Sequence, residues 1–248
     1  MLFIVANFTL AGILLGIGIL TLRKVSTPNE WVFATLPLLF GLHQFDQGFV
    51  WLGLYGFVGS HTLHITATLF VFYAQAALPF WVPLAVWLLE PRGAKRHLLG
   101  LLTLIGAALA VYVAWRLAVT PTQVYVHHSS LVYDNPATQH LWVAVLYILT
   151  TCGALIISRS VPIQIFGWLN LLGLTVVFIV AHYSFTALWC LYAALVSGVL
   201  YLYFIERRIA FLRVLRQTET HLELRAAEEL DRLNRHLPRL RKLLPRDG

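Results

Sequence analysis

Seven apolar runs, each long enough to cross roughly 30 Å of hydrocarbon as a helix, recur at about residues 2–22, 31–52, 62–89, 97–119, 140–158, 162–181 and 184–206. No other feature constrains the fold as strongly. A water-soluble chain of 248 residues cannot bury the apolar surface implied by 59% hydrophobic and only 12% charged residues, so lipid must be the solvent for most of it. The expected fold is all-α: a polytopic membrane protein of seven transmembrane helices. The runs are separated by Arg23-Lys24 to Asn29, Gly59-Ser60, Pro91 to Arg96, a long loop from Thr120 to Gln139, Arg159 to Pro162, and a tight turn at His182-Tyr183. The first run reads as a retained helix rather than a signal peptide, because Arg23 and Lys24 follow it and no basic segment precedes it.

The distribution of charge gives the bundle a direction. The net charge of +7 resembles a nucleic-acid signal, yet 17 of the 18 Lys and Arg lie in three short segments and a tail that alternate helices place on one side. Counting only residues near the spans, that side receives ten basic residues from Arg23 to Arg216, and the other receives only Arg116. The positive-inside rule then puts the N-terminus outside and the C-terminus in the cytoplasm, as in a multi-pass protein of a bacterial inner membrane, with anionic lipid rather than nucleic acid as partner. Arg116 has three readings: pairing with Asp134, holding a lipid head group, or snorkelling to the interface.

Composition divides the chain into a seven-helix domain, 1–206, and a basic tail, 207–248, with eleven basic and six acidic residues. In the tail Ala226, Leu230, Leu233, Leu237, Leu240 and Leu244 follow a 4-3-4-3-4 spacing, which defines one face of a helix interrupted by Pro238. Such a C-terminal amphipathic helix suits the inner membrane surface or a coiled-coil contact with a second copy or a membrane-protein partner. Gly12 and Gly16, and Ala194 and Gly198, have the small-xxx-small spacing that lets membrane helices approach closely. Cys152 and Cys190 lie in apolar runs and read as small core residues.

The polar residues inside the runs demand a reason, because an ionisable group in hydrocarbon is costly. Asp46 is the only acid well inside a span, in Leu42-His43-Gln44-Phe45-Asp46-Gln47. His43 precedes it by three residues, so the two share a helix face. Such a pair can hold one imidazole nitrogen and aim the other at a metal, substrate or proton path, or it can be a polar knot tying two helices. The third run opens with His61-Thr62-Leu63-His64, and its polar stripe continues through Thr68 to Gln75, facing the bundle. The loop adds His127 and His128, His140 opens the fifth run, and His182 lies in the last turn, so six of ten histidines fall at the outer boundary. Imidazole is a common ligand of zinc, copper, iron and haem. It also sits well at an interface, and protonation near neutral pH adds a sensing role. The candidate metal set is His43, Asp46, His61, His64, His128 and His182, with the 120–139 loop folding over the mouth as a lid.

No membrane-embedded Lys, Walker motif, GxSxG, HExxH or CxxC is present. The strings Leu36-Pro37-Leu38-Leu39-Phe40, Gln44-Phe45, Gly48 and Val50-Trp51 are similar to the second helix of a family of uncharacterised bacterial multi-helix membrane proteins. Ala74-Gln75 through Pro79, Trp81-Val82-Pro83, Leu89-Glu90-Pro91, His128 to Tyr133-Asp134, and Trp189 to Ser197 resemble it as well. The resemblance spans the second to seventh helices and implies a fold without an activity. Two departures stand out: Leu2 to Phe8 replaces a Cys-Phe-Ser-Ala-Thr-Ala-Ser-Phe-like opening, and His43, Asp46 and Gln47 stand where the family carries Gln and Glu.

The function expected from these residues is an outward-facing His/Asp-lined cavity that binds a metal, a metal cofactor or a small ligand, in sensing or handling. A membrane subunit that assembles through helix faces and the basic tail is the alternative. A metal-dependent intramembrane hydrolase is a third reading, without a motif behind it.

Overall fold

The structure, a computed structural model, describes residues 1–127, 130–136, 138–181 and 184–209, leaving aside the side chains of 181 and 185. The chain divides into two compact units, Met1–Phe204 and Ile205–Gly248. Of the second, the described residues 205–209 are helical, and the amphipathic tail expected after them lies outside the described residues.

The first unit is a helical bundle. Helix α1 (Leu2–Leu22) is followed by α2 (Trp31–Ala34) and α3 (Leu36–Leu54), then α4 (Ser60–Val71) and α5 (Leu78–Leu89), joined by a π-helical turn, Phe72–Ala77. Helix α6 (Ala94–Val119) leads into strands β1 (Gln123–His127) and β2 (Ser130–Asp134). Helices α7 (Leu141–Ile148) and α8 (Ala154–Ile157) flank a second π-turn, and α9 (Val161–Ala181) and α10 (Phe185–Ser197) complete the unit. Among the described residues five helices are long and apolar enough to cross a membrane: Leu2–Leu22, Ser60–Leu89, Ala94–Val119, Val161–Val180 and Thr186–Ile209. The segment Leu141–Ile157 is apolar but shorter. The second expected span is divided at Thr35 and diluted by His43, Gln44, Asp46 and Gln47.

The prolines locate the irregularities. Pro37 lies in the first turn of α3, where a missing N–H leaves nothing unbonded, so it starts a helix rather than kinking one. Pro79 cannot donate to the carbonyl of Gln75 and its ring crowds that turn, which accounts for the widened backbone at Phe72–Ala77. In the second π-turn, Thr150 and Thr151 donate their hydroxyls to the carbonyls of Leu146 (2.8 Å) and Tyr147 (2.7 Å), competing with the regular ladder.

Close helix contacts rest on glycines other than the expected pair. Helix α1 runs antiparallel to α3, where a Cβ on Gly18 would come within 2.5 Å of the Leu38 backbone nitrogen and one on Gly41 within 2.8 Å of that of Leu15. Gly12 and Gly16 are exposed with nothing within 4 Å of such a Cβ, so their GxxxG spacing makes no contact within the unit. Gly106 of α6 lies against the Pro79 carbonyl so closely that no side chain fits there.

The 120–139 segment, expected as a loop, forms an antiparallel hairpin with Gln123 opposite Asp134 and His127 opposite Ser130. The β-branched and aromatic residues of Val124-Tyr125-Val126 and of Leu131-Val132-Tyr133 favour strands and explain the pairing. Asn135 closes its base, donating to the Thr120 carbonyl (3.2 Å) and the Thr122 hydroxyl (3.1 Å). The expected covering role is partly realised: β2 packs on α10 and β1 on α4, and Leu131 enters a small core with Ile4, Val50, Trp51 and Ala187.

At the opposite end, buried Glu90 ties two loops together. Its carboxylate accepts from the Arg159 backbone N–H (3.1 Å) and the Ser158 hydroxyl (3.5 Å). The Arg159 guanidinium stands 3.4 Å away, an ion pair by distance although outside hydrogen-bond geometry. The Glu90 carbonyl accepts from Arg96, whose guanidinium also lies over the Trp87 ring.

Candidate functional site

Helix α3 carries the polar sequence that defines the site. Its helical period buries His43, Gln44 and Gln47 and leaves Asp46 half-buried, beside exposed Leu42 and Phe45. The His43 ring stacks on Phe70 of α4 (centroids 4.0 Å apart, 19° between planes) and lies 4.4 Å from that of Tyr73. The π-turn that brings Tyr73 to His43 also brings Gln75 to α10, where its amide donates to Thr186 (3.1 Å). Thus the expected polar stripe from Thr68 to Gln75 does face the bundle.

From the hairpin, Tyr133 completes the stack, its ring parallel to that of Phe70 at 4.2 Å. The order Tyr133, Phe70, His43, Tyr73 runs from β2 into the interior. The hydroxyl of Tyr133 is buried although part of the residue stays accessible. Burial pushes this phenol well above its usual range, and the Asp46 carboxylate adds to the shift, so the group is a neutral donor at physiological pH. The Gln47 amide lies beside it and favours its ionised form, but the approach falls short of hydrogen-bond geometry.

Several buried polar atoms of the unit, those of the stack among them, lack partners among the described residues. They include His43 Nε2, both amide atoms of Gln44, Asp46 Oδ2, Thr68 Oγ1, and the hydroxyls of Tyr73, Tyr133 and Ser184. An unsatisfied buried group costs about 1–3 kcal/mol, and native cores hold few of them. Three of them sit on the stack and the Asp46 carboxylate acts on one of those, which gives the interior beneath the hairpin the chemistry of a binding site: a stacked imidazole, a carboxylate and phenol donors.

The sequence-derived set is not gathered as expected. His43 and Asp46 share α3, yet neither Nε2 of the one nor Oδ2 of the other has a hydrogen-bond partner, because the imidazole is drawn into the aromatic slot while the carboxylate stays on the flank. His61 and His64 are exposed on the first turns of α4. His128 and His182 lie outside the described residues. Among the described residues no group of three or more His, Cys, Asp or Glu is placed to hold a metal ion. Asp134 accepts from Gln139 (2.6 Å), and Arg116 extends over Trp115 with its Nε buried and unpartnered.

Tyr133 and Phe70 are the members that the sequence did not single out as a pair. A β-alternation reading of residues 130–134 would have turned Tyr133 and Leu131 to one side. Trp189 of α10, whose indole donates to the Tyr147 hydroxyl at 3.0 Å, ties α10 to α7 behind the site.

A cavity of about 220 Å³ adjoins this cluster through Gln47, in a cleft between α1 and α10. Phe3 and Trp51, stacked at 4.6 Å, form one wall.

No curated protein and no solved structure matches the chain. A family of unknown function, DUF6629, matches residues 4–214, which take in every element described above but the first two residues of α1. The strings in α3, α5, β2 and α10 that resembled an uncharacterised multi-helix family lie within that match, and the chain belongs to DUF6629.

Proposed function

We propose that this is a seven-span membrane protein, N-terminus outside, whose polar interior beneath the hairpin binds a small ligand reaching it from the outer face. The observation that carries this reading is the unpartnered polar atoms of His43, Tyr73 and Tyr133 on one aromatic stack, with the Asp46 carboxylate close enough to act on the Tyr133 phenol. Seven spans follow from adding α2–α3 and Leu141–Ile157 to the five longest apolar helices. Their alternation puts every short basic segment on the end of the bundle that carries Glu90. The hairpin then lies outside, and the ligand passes it to reach His43. Imidazole, carboxylate and phenol together suit a small polar molecule that both donates and accepts. A metal ion or metal cofactor (zinc, copper, iron or haem) would require His61, His64, His128 or His182 to join His43 and Asp46.

Thermal unfolding of the purified protein against a panel of small polar molecules and divalent metals tests the reading. A true ligand at a hundred times its Kd stabilises by about 2.7 kcal/mol, a rise of roughly 5–10 °C for a unit this size. The rise should vanish in Tyr133→Phe and His43→Ala. A ligand whose effect survives both changes binds elsewhere, and stoichiometric metal that survives them removes His43 from any metal site.

A second reading, assembly with other chains, is favoured by one observation. Gly12 and Gly16 present an open, exposed small-residue face on α1. Mass measurement in mild detergent, with and without residues 207–248 and with Gly12→Leu, separates it from pure ligand binding.

A further inference from the structure

Helices α1 and α10 both pack on α3 but diverge from one another. At one end they meet: a Cβ on Gly198 would lie 3.7 Å from the Ile17 side chain. Toward the hairpin they separate, and the space between them is the cavity of about 220 Å³. Leu10 of α1 and Leu188 and Leu191 of α10 form its flanks, α3 its floor, and Leu131 of β2 closes its hairpin end.

Two properties decide what such a cleft accepts. The first is where it opens. Ala6 and Leu191 on its rim are accessible, and the neighbouring surface of both helices is exposed and apolar, with Ile13 55% and Leu195 58% accessible. In a membrane that surface meets acyl chains, so the mouth opens sideways into lipid. The second is what lines it. No lining residue carries a formal charge. Polarity comes from Gln47, 5% accessible and beside the Tyr133 hydroxyl, from Ser130, and from Asn7, whose amide N–H is held by the Phe3 carbonyl (2.8 Å) so that its oxygen remains an acceptor. At about 30 Å³ per water-sized group, the cavity holds roughly seven such groups, enough for a head group and its first few carbons.

We propose that the α1–α10 cleft binds a single bilayer-borne amphiphile, its uncharged hydrogen-bonding head at Gln47 and its chain running out between Leu10 and Leu191 into the lipid. The site shares only Gln47 with the interior described above, and it needs no movement of the hairpin. A charged head is disfavoured because nothing in the lining neutralises it.

The test uses the full chain in lipid nanodiscs with a diazirine-bearing long-chain alcohol, and with the matching fatty acid as the charged counterpart. Cross-linked peptides are mapped by mass spectrometry. The alcohol should label Leu10, Leu188 and Leu191 in preference to equally exposed apolar positions such as Leu104 and Val111 of α6, and excess unlabelled hexadecanol should suppress that label. Ala6→Trp, which fills the rim, should abolish it. Gln47→Leu should weaken it about fivefold, the effect of one net hydrogen bond. If Ala6→Trp fails to fold, Leu191→Trp on the opposite rim asks the same question. Even labelling of all lipid-facing helices, or labelling indifferent to the rim substitutions, overturns the proposal. Equal labelling by the fatty acid overturns the assignment of an uncharged head.

Discussion

Tyr133 separates a packing role from a binding role by the sign of two substitutions. Its ring lies parallel to Phe70 at 4.2 Å and fixes β2 against α4, whereas its hydroxyl is buried without a partner among the described residues. Tyr133→Ala removes the ring and opens a cavity. Large aromatic truncations cost about 3–5 kcal/mol, and partial accessibility of this residue puts the expected loss near the lower bound. At roughly 2–4 °C per kcal/mol, the unfolding midpoint should fall by about 6–12 °C. Tyr133→Phe keeps the ring and deletes only the hydroxyl, relieving part of a desolvation cost of about 1–3 kcal/mol. The ligand-free protein should therefore gain about 1 kcal/mol, and its midpoint should rise by roughly 2–4 °C. Intrinsic tryptophan fluorescence during thermal unfolding reads both values, since Trp51 packs in the small core that Leu131 enters. A Tyr133→Phe variant as destabilised as Tyr133→Ala would refute the reasoning, because the hydroxyl would then be a structural bond rather than a group held for a ligand.

Three further outcomes follow from the same structure. Because burial raises the Tyr133 phenol, the folded state holds its proton above pH ~10 where the unfolded chain loses it, so stability should decline with pH from there upward and Tyr133→Phe should flatten that decline. Glu90→Ala should cost about 1–3 kcal/mol by unpairing the Ser158–Arg159 backbone and hydroxyl donors, whereas Arg159→Ala should cost under about 1 kcal/mol because that guanidinium is 55% accessible; thermal midpoints of the two variants compare them directly. Gly106→Ala should prevent folding or strongly destabilise by forcing α6 off the Pro79 carbonyl, and Gly12→Ala should be nearly neutral for the monomer, as yield and monodispersity in detergent will show.

The helical architecture was legible because lipid forces a long, nearly uncharged run for each span, and the apolar helices coincide with such runs to within a few residues. Where an apolar run also holds polar groups the signal weakened: His43, Gln44, Asp46 and Gln47 dilute α3, and Thr150 and Thr151 fall in the π-turn of Leu141–Ile157. The hairpin was missed because its strands are only five residues each, show no alternation of burial, and are flanked by Thr120-Pro121 and Asn135-Pro136, which read as loop. The GxxxG spacing pointed to Gly12 and Gly16, but close approach is set by the facing helix, and α3 meets Gly18 instead. At the candidate site, helical periodicity correctly turned the Thr68–Gln75 stripe toward the bundle and marked His43 and Asp46 as polar groups of one helix. It could not show that His43 would stack on Phe70 and Tyr73 rather than bond Asp46, because that choice belongs to α4 and the π-turn. Tyr133 was beyond reach for the same reason, since its partner lies more than sixty residues earlier in the chain.

The central claim is that the polar atoms beneath the hairpin exist to be met by a ligand. A high-resolution crystal structure from a lipidic mesophase, grown with the stabilising molecule found by thermal screening, tests it most directly. The account predicts non-protein density within hydrogen-bond distance of His43 Nε2, Asp46 and the Tyr133 hydroxyl. Direct pairing of those three groups with one another or with neighbouring side chains, leaving the interior dry, would contradict it.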